Sequence, residues 1–144
     1  MQVYFKGKFL LVDKEGVALY YSAQPAANLV QVHGVPLERH WMVLGARIYS
    51  KELTEAVDIL NMFGLSPYLK RWKLASMEVG NLSKIDITTF ENMHVILDQE
   101  NTKDKIELLQ MLIAGHKIDL NKVKYIDLRF KEPVIADNME ASKE

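Results

Sequence analysis

The 144-residue chain contains no cysteine. That excludes thiolate catalysis, disulfide frameworks and cysteine-based zinc sites, and fits both small cytosolic proteins and extracytoplasmic ones that avoid oxidation. No apolar run approaches the length of a membrane span, and no signal-peptide pattern stands at Met1. Nor is there an excess of positive charge. The formal net charge is −1 with Lys and Arg dispersed, so nothing drives phosphate contacts and nucleic-acid binding is not expected. The seven glycines are scattered singly, which leaves no GxSxG, GxGxxG or Walker-type loop. The four histidines, His33, His40, His94 and His116, show neither i, i+4 pairing nor HExxH and read as surface or turn residues. No cofactor, metal site or catalytic set is expected.

What is present is the composition of an ordinary globular protein, 49% hydrophobic and 26% charged. The length suits one domain, expected over residues 1–136, with a small, charged, disordered tail at 137–144. Phe9–Val12 and Val17–Tyr21 read as strands joined by Asp13-Lys14-Glu15-Gly16, a turn in which the glycine takes the left-handed position. A loop over Ser22–Asn28 leads to a short strand at Leu29–Val32, while residues 37–49 fit no single element. Ser50 is a plausible N-cap for a helix whose Leu53, Ala56, Val57, Leu60 and Phe63 share a face, with Gly64 at its end. Strands are expected at Leu74–Val79, Ile85–Thr89 and His94–Asp98, with Asn92 left-handed in the turn between the last two. Asn101 or Thr102 should cap a second helix with a stripe of Ile106, Leu109, Leu112 and Ile113, ended by Gly115. The fold class is α+β: a mostly antiparallel, curved sheet with two amphipathic helices packed on one face.

The chain closes on Tyr125-Ile126-Asp127-Leu128-Arg129-Phe130, entered at Val123. Alternation puts Ile126, Leu128 and Phe130 on one face and Asp127, Arg129 and Lys131 on the other, and Pro133 should end regular pairing. A strand so late in the chain is expected at or near a sheet edge, where free amides and carbonyls can accept a foreign strand or a second copy. The plainer alternative is an ordinary edge blunted by charge. Other chemistry is weaker. Asp13 and Glu15 sit in a turn; Asp86, Asp98 and Asp127 could approach across the sheet as a hydrolase pair, but a solvated face is the simpler reading. Trp41 and Trp72 are candidate anchors, and Tyr68–Lys73 combines aromatic and basic residues as an envelope-surface site for peptidoglycan or lipid would. For Trp72, burial between helix and sheet is the competing role.

Three segments resemble a known family. Phe9-Leu10-Leu11-Val12-Asp13-Lys14-Glu15-Gly16-Val17, Leu29 to Gly34, and Tyr125 to Phe130 are similar, in this order over roughly residues 4–136, to the C-terminal β domain of the bacterial division protein FtsQ, or DivIB. Val30 where proline is frequent, Phe90-Glu91-Asn92 for an Asp-Gly turn, and Asp98 for a strand-ending glycine depart from the pattern. The resemblance implies an excised extracytoplasmic fragment of a protein anchored in the inner membrane, acting at the septum without enzymatic activity. It further implies that FtsB/FtsL-like (DivIC-like) partners bind by strand addition at the last strand. The residues it points to are Tyr125, Asp127, Arg129, Phe130, Lys131, Glu132 and Val134, with Phe130 either a contact or, by its phase, part of the core.

Overall fold

The computed structural model describes residues 1–39, 43–116 and 121–137. His40 and Trp41 lie outside them, as does the expected tail beyond Asp137. The elements are β1 (Gln2–Phe5), β2 (Lys8–Val12), β3 (Ala18–Ser22), β4 (Gln31–His33), α1 (Lys51–Leu65), β5 (Leu74–Glu78), β6 (Ile85–Thr89), β7 (His94–Leu97), α2 (Thr102–Ala114), β8 (Val123–Asp127) and β9 (Val134–Asp137). All nine strands form one sheet in the order β3-β2-β1-β4-β5-β6-β7-β8-β9. The class is α+β as expected, but the sheet is mixed. β4 runs parallel to both β1 and β5, and β8 runs parallel to β7. A parallel neighbour needs a long crossover, and α1 and α2 lie within the β4–β5 and β7–β8 connections.

Local chemistry sets the elements. The Asp13 carboxylate accepts from the Glu15 and Val17 amides at 2.8 and 3.0 Å, and Gly16 takes φ +85° to turn the chain into β3. The Ser50 hydroxyl accepts from the Leu53 amide at 3.3 Å, capping α1. Gly64 lies inside α1 rather than beyond it. The end is set by Ser66, whose backbone is extended as the residue before Pro67 must be. Asn101, left-handed at φ 53°, starts α2 without a side-chain cap, while the Thr102 hydroxyl donates to Glu55 on α1 at 2.7 Å. Asn92 takes the left-handed conformation at φ 66°. At the far end of α2 it is His116, not Gly115, that does so.

One register row explains the core. Leu10, Val3, Val32, Met77, Ile87, Val95 and Ile126 stand side by side on seven consecutive strands, each fully buried. Each such side chain contributes about 1.5–3 kcal/mol relative to exposure. Leu53, Ala56, Ile59 and Phe63 of α1, with Ile106 and Leu109 of α2, join the same cluster. Leu112 and Ile113 are only partly covered. The row ends at Tyr21 on β3 and Ile135 on β9, both substantially exposed. No helix among the described residues is long and apolar enough to cross a membrane.

Candidate partner-binding edge

The C-terminal strands are shaped by Asp127. Its carboxylate accepts from the Arg129 amide at 3.1 Å and from the Arg129 guanidinium, whose Nη2 lies 2.8 Å away. Burial alone would push this carboxyl up. The hydrogen bonds and charge of Arg129, helped by Lys84, instead hold it below the ordinary carboxylate value. Bending the chain back onto Asp127 ends β8 there. Leu128 still enters the core, its amide donating to the Ile96 carbonyl at 2.9 Å. Past that point the alternation stops. Phe130 is 57% exposed, with the Arg129 guanidinium over its ring at 5.5 Å from the centroid.

The chain then returns. Val134–Asp137 pairs antiparallel with β8, matching Ile135 to Ile126 and Val134 to Asp127, with an irregularity near Val123. Two expectations are corrected here. The segment entered at Val123 is not the edge, because β8 is held between β7 and β9. Pro133 does not end pairing but precedes its last strand, a place where a missing amide costs nothing. Among the described residues no strand covers the outer side of β9, so the edge belongs to Val134–Asp137.

The seven residues expected to bind a partner therefore separate. Tyr125, half-buried, is paired with His94 on one side and Ala136 on the other. Asp127 is 5% exposed and engaged with Arg129. Phe130 is not core, because its phase with Ile126 and Leu128 is lost where the strand ends. Phe130, Lys131 and Glu132 are exposed in the loop leading to β9, and Val134 opens β9 itself. Ile135, Ala136 and Asp137 were not among them, although a β-branched pair directly after a proline is a fair strand signal.

Each of the carboxylate alternatives has its own partner. Asp86 Oδ1 lies 2.8 Å from His94 Nδ1, Asp98 engages Lys105, and Asp127 holds Arg129. Asp86 and Asp127 share a face with Ile96 of β7 between them, so their backbones are about 10 Å apart. His94 thus has a carboxylate neighbour that the sequence did not reveal, since the two meet only across the β6–β7 hairpin. The described residues include no cluster of His, Asp and Glu suited to a metal ion.

Two outcomes follow from this geometry. Phe130→Ala should leave the thermal midpoint nearly unchanged, because an exposed side chain contributes within about 0.5 kcal/mol. A cost of about 3 kcal/mol or more in a denaturant titration would mean that Phe130 is buried in solution. The lowered Asp127 carboxyl makes the fold acid-sensitive. Its stabilisation is present above the unfolded carboxylate value, about pH 3.9, and is lost as pH falls through the lower folded value. Asp13, lowered chiefly by the Val17 and Glu15 amides, acts in the same direction. Urea titrations between about pH 5 and pH 2.5 should therefore show a smaller acid loss in Asp127→Asn than in the unsubstituted chain.

Comparison with known families matches residues 3–129 to the model described as cell division protein FtsQ/DivIB, C-terminal. The match covers eight of the nine strands and stops before β9. No curated protein matches the chain.

Proposed function

The chain belongs to the FtsQ/DivIB C-terminal family and so has a role in cell division, and from that premise we propose that it is a non-enzymatic scaffold domain that binds FtsB/FtsL-like, or DivIC-like, partners by strand addition. The incoming strand pairs with the outer side of β9, while Phe130, Lys131 and Glu132 in the preceding loop supply side-chain contacts. Arg129 acts through Asp127 by fixing the bend that presents this loop. Backbone pairing supplies affinity in this mode, and alternate side chains select the partner. The parent protein is anchored in the inner membrane, with this domain outside the cytoplasm at the septum, where it regulates cell-wall synthesis.

The observation that carries the reading is the position of β9. It is last in a nine-stranded sheet, paired with β8 on one side and with no strand on the other among the described residues. Val134 and Ile135 are 43% and 40% exposed, so a partner strand has apolar surface to cover as well as hydrogen bonds to complete. The test is a calorimetric titration with an FtsB-like extracytoplasmic peptide, for which saturable one-to-one binding is expected. No heat at high micromolar peptide, with the chain folded, overturns the reading. Sedimentation of the chain alone shows whether a second copy uses the same edge.

A further inference from the structure

A second recessed surface lies away from β9. A hollow of about 760 Å³ is floored by Leu60, Phe63, Leu69 and Leu74 and walled by Trp72 and Phe90. Its shape follows from the end of α1. The Ser66 hydroxyl accepts from the Tyr68 and Leu69 amides at 3.3 and 3.2 Å, which seats Leu69 in the core and turns Tyr68, Lys70 and Arg71 outward. Trp72 packs edge-on against Phe63 at 6.2 Å between ring centroids. The Phe90 amide donates to the Lys73 carbonyl at 3.0 Å, holding a 58%-exposed ring at the mouth. A smaller hollow of about 410 Å³ continues past Trp72, Lys73 and Phe90 to Arg71.

The charge around this surface is one-sided. Among the described residues, Lys70 and Lys73 line the larger hollow and no carboxylate does; Glu91 is the one acidic residue among them lining the smaller. Lys70, Arg71 and Lys73 are exposed, and among the described residues none of them enters an ion pair. Unpaired cations around an apolar hollow complement a ligand with the opposite arrangement, apolar in the middle and acidic at the flanks.

We propose that this hollow docks an acidic, amphipathic peptide segment of a partner protein, its apolar side chains beside Trp72 and its carboxylates on Lys70, Arg71 and Lys73. A peptide fits better than a bilayer because the apolar surface is recessed: a side chain reaches the floor and a flat membrane does not. Strands β6, β7 and β8 separate β5, at this site, from β9, roughly 19 Å across the sheet. The two surfaces can therefore be occupied together.

The test is selection of a random displayed peptide library on the immobilised chain, followed by titration of the recovered peptides. The expected result is enrichment of Glu and Asp around Leu, Phe or Trp. Binding should weaken with salt and fall at least about tenfold on Lys70→Glu/Arg71→Glu/Lys73→Glu. These three side chains are exposed, so the variant should fold normally, as circular dichroism would verify. Trp72→Ala should also lose binding, and whichever of Ile135→Pro and Ala136→Pro leaves the fold intact should keep it. Four results overturn the proposal: no recovered binders, binders without acidic enrichment, binders indifferent to the charge reversal, or capture of phosphatidylglycerol vesicles or peptidoglycan through these lysines while the peptides fail.

Discussion

Of Ile135→Pro and Ala136→Pro, one should abolish partner binding while leaving the fold intact, and the other should loosen β9 from β8. Consecutive amides of an antiparallel strand point alternately to its two neighbours. In β9 one set faces β8 and the other faces outward. Proline removes a single amide hydrogen and fixes φ. Placed in the inward set it breaks the β8 ladder and lowers the melting temperature. Placed in the outward set it costs the fold little but removes a donor and puts a ring in the path of the arriving strand. Loss of one such bond is worth about 1 kcal/mol, and with the steric block the affinity should fall more than about tenfold. Calorimetry and thermal denaturation on both variants separate the effects. Equal binding by both prolines would show that the partner does not pair with β9.

Gly34→Ala is expected to be the most damaging small substitution in the chain. Gly34 has φ +92° where β4 ends, a conformation that strains any residue with a Cβ. A methyl there would also lie 2.6 Å from the Gly80 Cα, and backbone cannot step aside as a side chain can. The two glycines let β4 and β5 leave the sheet together, just beyond the hydrogen bond from the Val79 amide to the His33 carbonyl. Strain and clash together should cost about 3 kcal/mol or more, which lowers the melting temperature by roughly 10 °C. Gly80→Ala is the control. Its φ is not positive and its nearest obstacle is the flexible end of Glu78 at 2.8 Å, so it should be far milder. Comparable melting of both variants would show that this contact is not tight in solution.

Short-range signals were readable in the sequence. The Asp13–Gly16 turn, the Ser50 cap and the left-handed Asn92 each depend on neighbours within a few residues, and each formed as expected. Of the α1 stripe, Leu53, Ala56, Val57 and Phe63 are buried as expected, but the fully buried fifth residue is Ile59, and Leu60 is only partly covered. What was missed depends on distant partners. β1 gave little signal because Gln2 looks like a surface residue. It is fully buried because its amide bonds Ala26 and Leu29 and thereby pins the loop before β4. Which strands run parallel is a matter of crossovers, and alternation does not report it. At the C-terminus the pattern of Ile126, Leu128 and Phe130 continued past the point where Asp127 folds Arg129 back and stops the strand. That single turn moved Phe130 to the surface and the edge to β9. The family resemblance was legible from three short segments, and the family match confirms it.

The place of β9 in the connectivity also fixes when the edge exists. Among the described residues it has no strand neighbour but β8, and β8 reaches the rest of the sheet only through β7, at the far end of the crossover that contains α2. An unfinished molecule therefore has no dock to offer. If partners bind by the proposed strand addition, one arriving at this strand would in effect inspect the completion of the whole C-terminal half, and immature copies would be kept out without a separate quality check.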